Sequence, residues 1–476
     1  MRHLLLLALV FYVFVTVLAQ QIPYFWDNVA LISNPAQFYY HTHCQKLVLP
    51  LLLDTGHPPF YAYYIAYLWQ CFHKNIAVSH WANLPFLLGI AWAYLGLARY
   101  FLNTQTNTNL PNHLLFFCLL MLFTEPTLLT QTTLATPDVA LVCGSLVALY
   151  GIVSQKTIVL SAGLCLMAAV SLRGVIHIPA VFLCHFVYVF TSKLPLKTKH
   201  KLTFLLAYVP ATILLFVWLV YHHQQTGFWL ENYQSNWAIN YHPPTIQGAL
   251  YNWCILAWRF LDQGRLFIWL IIAWLGYKNK HFTALSLPQK QLIAWFLVWL
   301  MISGLPVSFR AIPIMHRYYI VHYLLVLLFA CTLLTTLKPT QQRLFVGLML
   351  IAQITGHLWI YPQPIATDWD ATLASMPYFT LKKQANTYLQ QQKIPKTAVG
   401  SKFPLINSPQ QTHLNNDTTH LQRIDEGQIS RFEYVLYSNI SNDFSATEIT
   451  QLQTHWQVQQ QWSKGFVRLV LYKNNQ

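Results

Sequence analysis

The sequence predicts a mainly α-helical polytopic membrane domain over residues 1–360 and a small α/β domain over residues 361–476. Three observations predict it. Hydrophobic residues make up 55% of the chain and charged residues 9%, where a soluble globular chain carries about 25% charged. Apolar runs near spanning length recur through the first 360 residues. Past residue 361 the chain turns polar, rich in Gln and Asn, with charges of both signs.

The formal net charge of +15 is no nucleic-acid signature. Most of the bases lie in short clusters between apolar runs, where the positive-inside rule accounts for them. The expected partner is a lipid bilayer. The eight cysteines fall mostly inside apolar segments and the tail has none, so no disulfide framework is expected.

The opening "MRHLLLLALVFYVFVTVLAQ" has the layout of a cleaved signal peptide. The many runs behind it favour a retained first span. With Arg2 inside, about eleven spans follow at roughly 20-residue length: 3–20, 80–100, 113–130, 139–154, 157–172, 174–191, 202–221, 262–277, 291–306, 318–336 and 343–360. The clusters at 193–201, 278–281 and 338–343 then all fall inside. This parity requires that the segment 57–73, in and just after "LLLDTGHPPFYAYYIAYLWQCF" (51–72), not cross. Its apolar part is too short for a span, and its tyrosines and Trp69 suit a helix lying at the outer interface.

In this topology the carboxylates before residue 360 (Asp27, Asp54, Glu125, Asp138, Glu231 and Asp262) all lie toward the outer face. The topology alone does not demand that, so the outer face is where chemistry is expected. In the tail, 368–391 reads as an amphipathic helix, and "TAVGSKF" and "EYVLYSN" as strands. Ser445 and Glu448 form a capping box opening another helix. "QVQQQW" and "FVRLVLYK" read as a closing hairpin with its turn at Ser463–Gly465. With no P-loop and no tandem repeat, an ATP-driven pump has no support.

Asp27 follows the first span. An acid ahead of an apolar run is a common helix N-cap; equally, it is a general base or a metal-binding carboxylate at a membrane-facing cavity. Asp138, after Pro137, is explained by the helix dipole alone and becomes functional only in company. Arg173, Arg310 and Arg317 border outer turns. Each is open to a snorkelling explanation, while the three together suit a phosphate. Asp54, His41, His43 and His57 share the first outer loop, which leaves a divalent metal ion open as the one cofactor; no other is expected. The loop 227–244, with Trp229, Tyr233, Trp237 and Tyr241, suits sugar recognition or an interfacial aromatic belt.

These residues, in this order, resemble the GT-C membrane glycosyltransferases, in the branch of the protein O-mannosyltransferases and lipid A aminoarabinose transferases. The resemblance rests on Asp27 after the first span, on "GHPP" with its aromatic tail (56–72), on Asp138, on Arg317-Tyr318 before a late span, and on the C-terminal outer domain. Asn28 departs from the acid pair common in the mannosyltransferases, and His322 from a frequent proline.

The resemblance implies a bacterial inner-membrane enzyme with a cytoplasmic N-terminus and a periplasmic C-terminal domain. Its reaction would be transfer, with inversion, of one sugar from a polyprenyl-phosphate donor to a lipid, glycan or protein acceptor. It implies Asp27 as base, Arg317 with Arg173 and Arg310 as phosphate clamp, and Tyr318 beside them. Asp54, His57 and Asp138 would shape the site or bind an ion. The competing readings are a lipid or glycan transporter and a non-catalytic subunit of an envelope assembly system. A transporter is expected to show internal repeats and charges midway along broken helices.

Overall fold

Inside an apolar run the backbone N–H and C=O groups must find partners within the run, so these runs form helices. The computed structural model describes residues 1–103, 112–191, 205–230, 232–235, 238, 242–278, 285–311, 314–361, 368–441 and 443–475. In chain order the first part gives α1 (Arg2–Ala19), α2 (Asn34–His41), α3 (Phe60–Phe72), α4 (Ile76–Trp81), α5 (Leu84–Asn103) and α6 (Asn112–Thr124). Then come α7 (Pro126–Thr132), α8 (Pro137–Val153), α9 (Thr157–Val170), α10 (Leu172–Thr191) and α11 (Val209–Thr226). The bundle ends with α12 (Ile246–Leu261), α13 (Arg265–Lys278), α14 (Leu287–Trp299), α15 (Ile320–Leu334) and α16 (Pro339–Gly356). Helix α15 is buried along its whole length and packs against α5, α6, α8, α13 and α14.

Among the described residues, five helical segments are long and apolar enough to cross a membrane: Arg2–Ala19, Ile76–Asn103, Leu172–Thr191, Leu287–Phe309 and His316–Leu334. A bent pair, α6 and α7, makes a sixth if it counts as one span. The other expected spans are helices that are shorter or less apolar.

The sequence reads 113–130 as one continuous helix, but the chain turns by 66° between α6 and α7. Pro126 has no N–H and disfavours the α conformation at Glu125. Glu125 takes ψ 117° and caps the new helix, its Oε2 accepting from the Leu128 N–H at 2.6 Å. Helix α3 has 13 residues, roughly 20 Å at 1.5 Å per residue, which falls short of the hydrocarbon core. Helix α12, in a segment expected on the outer side, is amphipathic and buries mainly Leu256 and Arg259.

The tail folds around a five-stranded sheet of order β2-β1-β3-β5-β4: β1 Val399–Ser401, β2 Gln422–Arg423, β3 Tyr434–Ser438, β4 Gln457–Lys464 and β5 Val467–Lys473. The first three pair in parallel and the last two form the antiparallel hairpin. The Ser445–Glu448 capping box opens the helix Ala446–His455 as its sequence requires. The helix expected over 368–391 starts only at Pro377, which takes its first position. Before it, the chain makes short 3-10 turns at Trp369–Ala371 and Leu373–Ser375.

The sheet unit is clamped to the bundle through the segment after α1. Phe25, Trp26 and Leu134 join its hydrophobic core. The Tyr24 N–H donates to Thr412 O at 2.9 Å, and the Ser33 hydroxyl to Gln411 O at 2.5 Å.

Candidate functional site

Asp27 is held from both sides. Behind it, the Phe25 ring lies 5.5 Å from Tyr378 and 5.3 Å from Phe379, and the Trp26 ring 5.0 Å from Phe403. Trp26 has φ +54°, a strained value for a bulky residue that tight packing has to enforce. Ahead of it, a π-helical turn, Val29–Ser33, runs directly into α2. Asp27 does not cap that turn. Its Oδ2 instead receives the Nη2–H of Arg317, from the 3-10 turn His316–Tyr319 that opens α15.

Arg317 is 4% exposed and surrounded by acids. Its Nη1 donates to Asp370 Oδ2, and its Nε lies 3.7 Å from Asp138 Oδ2. That Nε–H is buried with no hydrogen-bond partner among the described residues. Asp138 sits in the first turn of α8 behind the Thr136 cap, and its Oδ1 pairs with Arg173 Nη2. Arg173 lies in the first turn of α10, just after the break from α9, where Ser171 is extended and its hydroxyl accepts the Arg173 N–H at 3.2 Å. Gly174 makes that break possible, since a Cβ there would collide with the Met167 carbonyl. The Tyr318 ring lies between the two guanidiniums, 4.7 Å from that of Arg173 and 5.7 Å from that of Arg317. Two like charges are thus held close by a shared carboxylate and a shared aromatic face.

Five of the residues singled out in the sequence therefore converge: Asp27, Asp138, Arg173, Arg317 and Tyr318. His57 lies next to them. Its Nδ1 accepts the Leu172 N–H at 3.1 Å, which leaves its proton on Nε2. Burial, with the Arg173 charge nearby, holds the imidazole down at about 4, so it is neutral at pH 7. His57 and Arg173 line a small cavity of about 40 Å³ whose other walls are mostly apolar, including Leu31, Ile32, Pro35 and Tyr39.

Asp54 stands apart from the cluster. Its Oδ1 accepts the Gly56 N–H at 2.8 Å, and its Oδ2 meets Nε2 of His222, on α11, at 2.8 Å. Asn232 ties down the same loop through the carbonyls of Leu51 and Asp54, at 2.8 and 3.1 Å. Asp54 fixes the loop that carries His57. Arg310 follows the 3-10 turn Leu305–Phe309, and its carbonyl accepts from Asn252 of α12 at 3.1 Å. His41 and His43 are exposed. Among the described residues, no group of three or more His, Cys, Asp and Glu is placed to hold a metal ion. In the aromatic loop Trp229 stacks on His223 at 4.1 Å, while Glu231, Trp237 and Tyr241 lie outside the described residues.

A second buried network adjoins the cluster and was not legible in the sequence. The ring of His316 spans two carboxylates, Nε2 to Asp262 at 2.9 Å and Nδ1 to Asp368 at 2.7 Å. Arg259 meets the same pair at 3.5 and 3.3 Å, and Tyr361 donates to Asp262. Burial works against the Asp368 charge, but Arg259 and His316 outweigh it and hold that carboxyl at about 2. Near neighbours in the chain thus serve adjacent networks: His316 and Arg317 on one segment, Asp368 and Asp370 on the other. Further off, Glu125 pairs with Arg265, whose guanidinium lies 3.6 Å over the Tyr323 ring. The two missed acids sit in "TDWDAT", where alternate acids in a polar segment look like a solvated surface.

No known family's profile matches this chain, and no curated protein matches its sequence. Its fold does match solved structures of ArnT from Cupriavidus metallidurans. The apo form aligns with a TM-score of 0.52 at 12% identity, and the form bound to undecaprenyl phosphate with 0.51 at 11%. Each alignment covers 98% of this chain and 97% of the other. The likeness is one of fold, and it extends over the bundle and the sheet unit alike.

Proposed function

We propose that this chain is an inverting glycosyltransferase of the inner membrane. It would move one sugar from a polyprenyl-phosphate donor to a lipid, glycan or protein acceptor on the periplasmic face, where the C-terminal domain (361–476) would lie. The observation that carries this reading is the convergence of a part-exposed carboxylate, Asp27, with two guanidiniums, Arg317 and Arg173, beside a cavity with apolar walls. The fold shared with ArnT, one structure of which holds undecaprenyl phosphate, supports it.

In this mechanism the donor's phosphate lies against Arg317 and Arg173, and its hydrocarbon chain runs along the apolar wall near Leu31, Ile32 and Tyr39. The unused Nε–H of Arg317 and the Nε2–H of His57 are further donors available to that phosphate. Asp27 takes the proton of the acceptor hydroxyl as its oxygen bonds to the anomeric carbon. The bond from that carbon to the phosphate oxygen breaks, and its electron pair leaves with the polyprenyl phosphate. The two arginines meet that growing charge from preset positions. Asp138 and Tyr318 hold the two guanidiniums close to one another.

Transport is the weaker reading. The described carboxylates lie at helix ends and breaks, as Asp138 and Glu125 do, rather than midway along spans. The test is to incubate purified protein with a panel of undecaprenyl-phosphate sugars and an envelope extract, and to follow free undecaprenyl phosphate. Its release together with sugar incorporation supports transfer. Movement of intact donor across a vesicle membrane without release would overturn it.

A further inference from the structure

Three carboxylates crowd the Arg317 guanidinium, and they are unequally supported as ions. Asp138 has Arg173 on Oδ1 and the Thr136 hydroxyl at 3.3 Å on Oδ2. Asp27 keeps 15% of its side chain exposed. Asp370 is 1% exposed, and its Oδ1 is buried without a hydrogen-bond partner among the described residues. Gln131 gives its Nε2–H to the Asp370 carbonyl at 2.7 Å, while its own Oε1 is also buried without a donor. This corner holds two orphan acceptors, and a proton on Asp370 would supply a donor.

Charge counting points the same way. Arg173 and Arg317 bring two positive charges against the three negative ones of Asp27, Asp138 and Asp370. An arriving phosphodiester adds one more negative charge, and an uncompensated charge in a buried site is strongly unfavourable. The carboxylate least supported as an ion is the one to neutralise.

We propose that Asp370 is an internal stand-in for the donor's phosphodiester, holding Arg317 in the empty site and leaving it as the neutral acid, with one proton taken from solution, when the phosphodiester arrives. This rests on the donor reading above. No covalent bond to the donor forms or breaks in the step, and the same displacement releases Asp27 from Arg317 toward the acceptor. Burial pushes the Asp370 carboxyl up to about 7 against the pull of Arg317. The charged groups facing it are Arg317 from the turn before α15, Asp368 from its own segment, Asp27 from the segment after α1, and Asp138 from α8. Arg173 stands behind Asp138.

The sign follows. Below about pH 7 Asp370 already holds its proton in the empty site, so donor affinity is flat. Above it each binding event takes up a proton, and affinity falls about tenfold per pH unit. The probe is a polyprenyl methyl phosphate in detergent micelles, a diester with one charge that does not titrate between pH 6 and 9. For the parental protein, calorimetry at pH 8 in two buffers of different ionisation enthalpy should read one proton taken up per ligand bound. Asp370→Asn should bind more tightly than the parent at pH 8.5 and lose the pH slope.

Binding without proton uptake, or a slope unchanged in Asp370→Asn, overturns this proposal alone. Absence of binding at every pH overturns the donor reading with it. If the variant fails to fold, the parental calorimetry decides.

Discussion

Asp27 and Arg317, 290 residues apart in the chain, hold each other at the mouth of α15. The proposed base and the proposed phosphate ligand are thus one ion pair. The two ends of the bundle domain must fold together before either group is in position.

Replacing Arg317 separates charge from geometry. Arg317→Ala leaves Asp27, Asp138 and Asp370 with Arg173 as the nearest compensating charge, and removing one partner of a buried pair costs about 3–5 kcal/mol. That variant should melt at a visibly lower temperature and not bind a polyprenyl phosphodiester. Arg317→Lys keeps the charge but cannot bridge Asp27 and Asp370 with a fork. It should fold and show a donor KM raised by roughly tenfold or more, equivalent to about 1.4 kcal/mol. Parental donor KM in the lysine variant would remove Arg317 from the donor site.

Asp54 and His222 should behave as one structural unit. Each single alanine variant is expected to lose stability, and the double variant to lose little more than either. The coupling energy from a double-mutant cycle should fall within about 0.5–3 kcal/mol, the range for residues in direct contact. Strict additivity would mean that the loop bearing His57 is fixed by something else.

Asp368 gives the sheet end of the network an acid dependence. Its folded carboxyl sits at about 2, below the ordinary value of about 3.9. The stabilisation is therefore fully present above about pH 4 and is lost as pH falls toward 2. Asp368→Asn should melt below the parent at pH 7, and the gap should narrow across that acid window. A gap independent of pH down to 2 would show that the Asp368 charge does not supply the difference.

What the sequence showed and what it hid divide along a physical line. The Ser445–Glu448 box and the closing hairpin were legible because their partners are neighbours in the chain. Asp27, Asp138, Arg173 and Arg317 stood out because charge is scarce around them, and Tyr318 through its place beside Arg317, yet nothing local could pair Asp27 with Arg317. Asp370 stayed hidden for the opposite reason: in a polar segment another acid carries no signal, and only folding buries it. His222 was lost at the end of an apolar run, and the bend at Glu125 was a proline effect passed over inside a long apolar stretch.

The most direct measurement is the initial rate of sugar transfer from an undecaprenyl-phosphate donor by the parental protein and by Asp27→Asn, side by side. Both must first show the same melting profile. The expected result is a fall of about 10²–10⁴-fold, the usual contribution of a positioned base. Transfer by Asp27→Asn at the parental rate would contradict it.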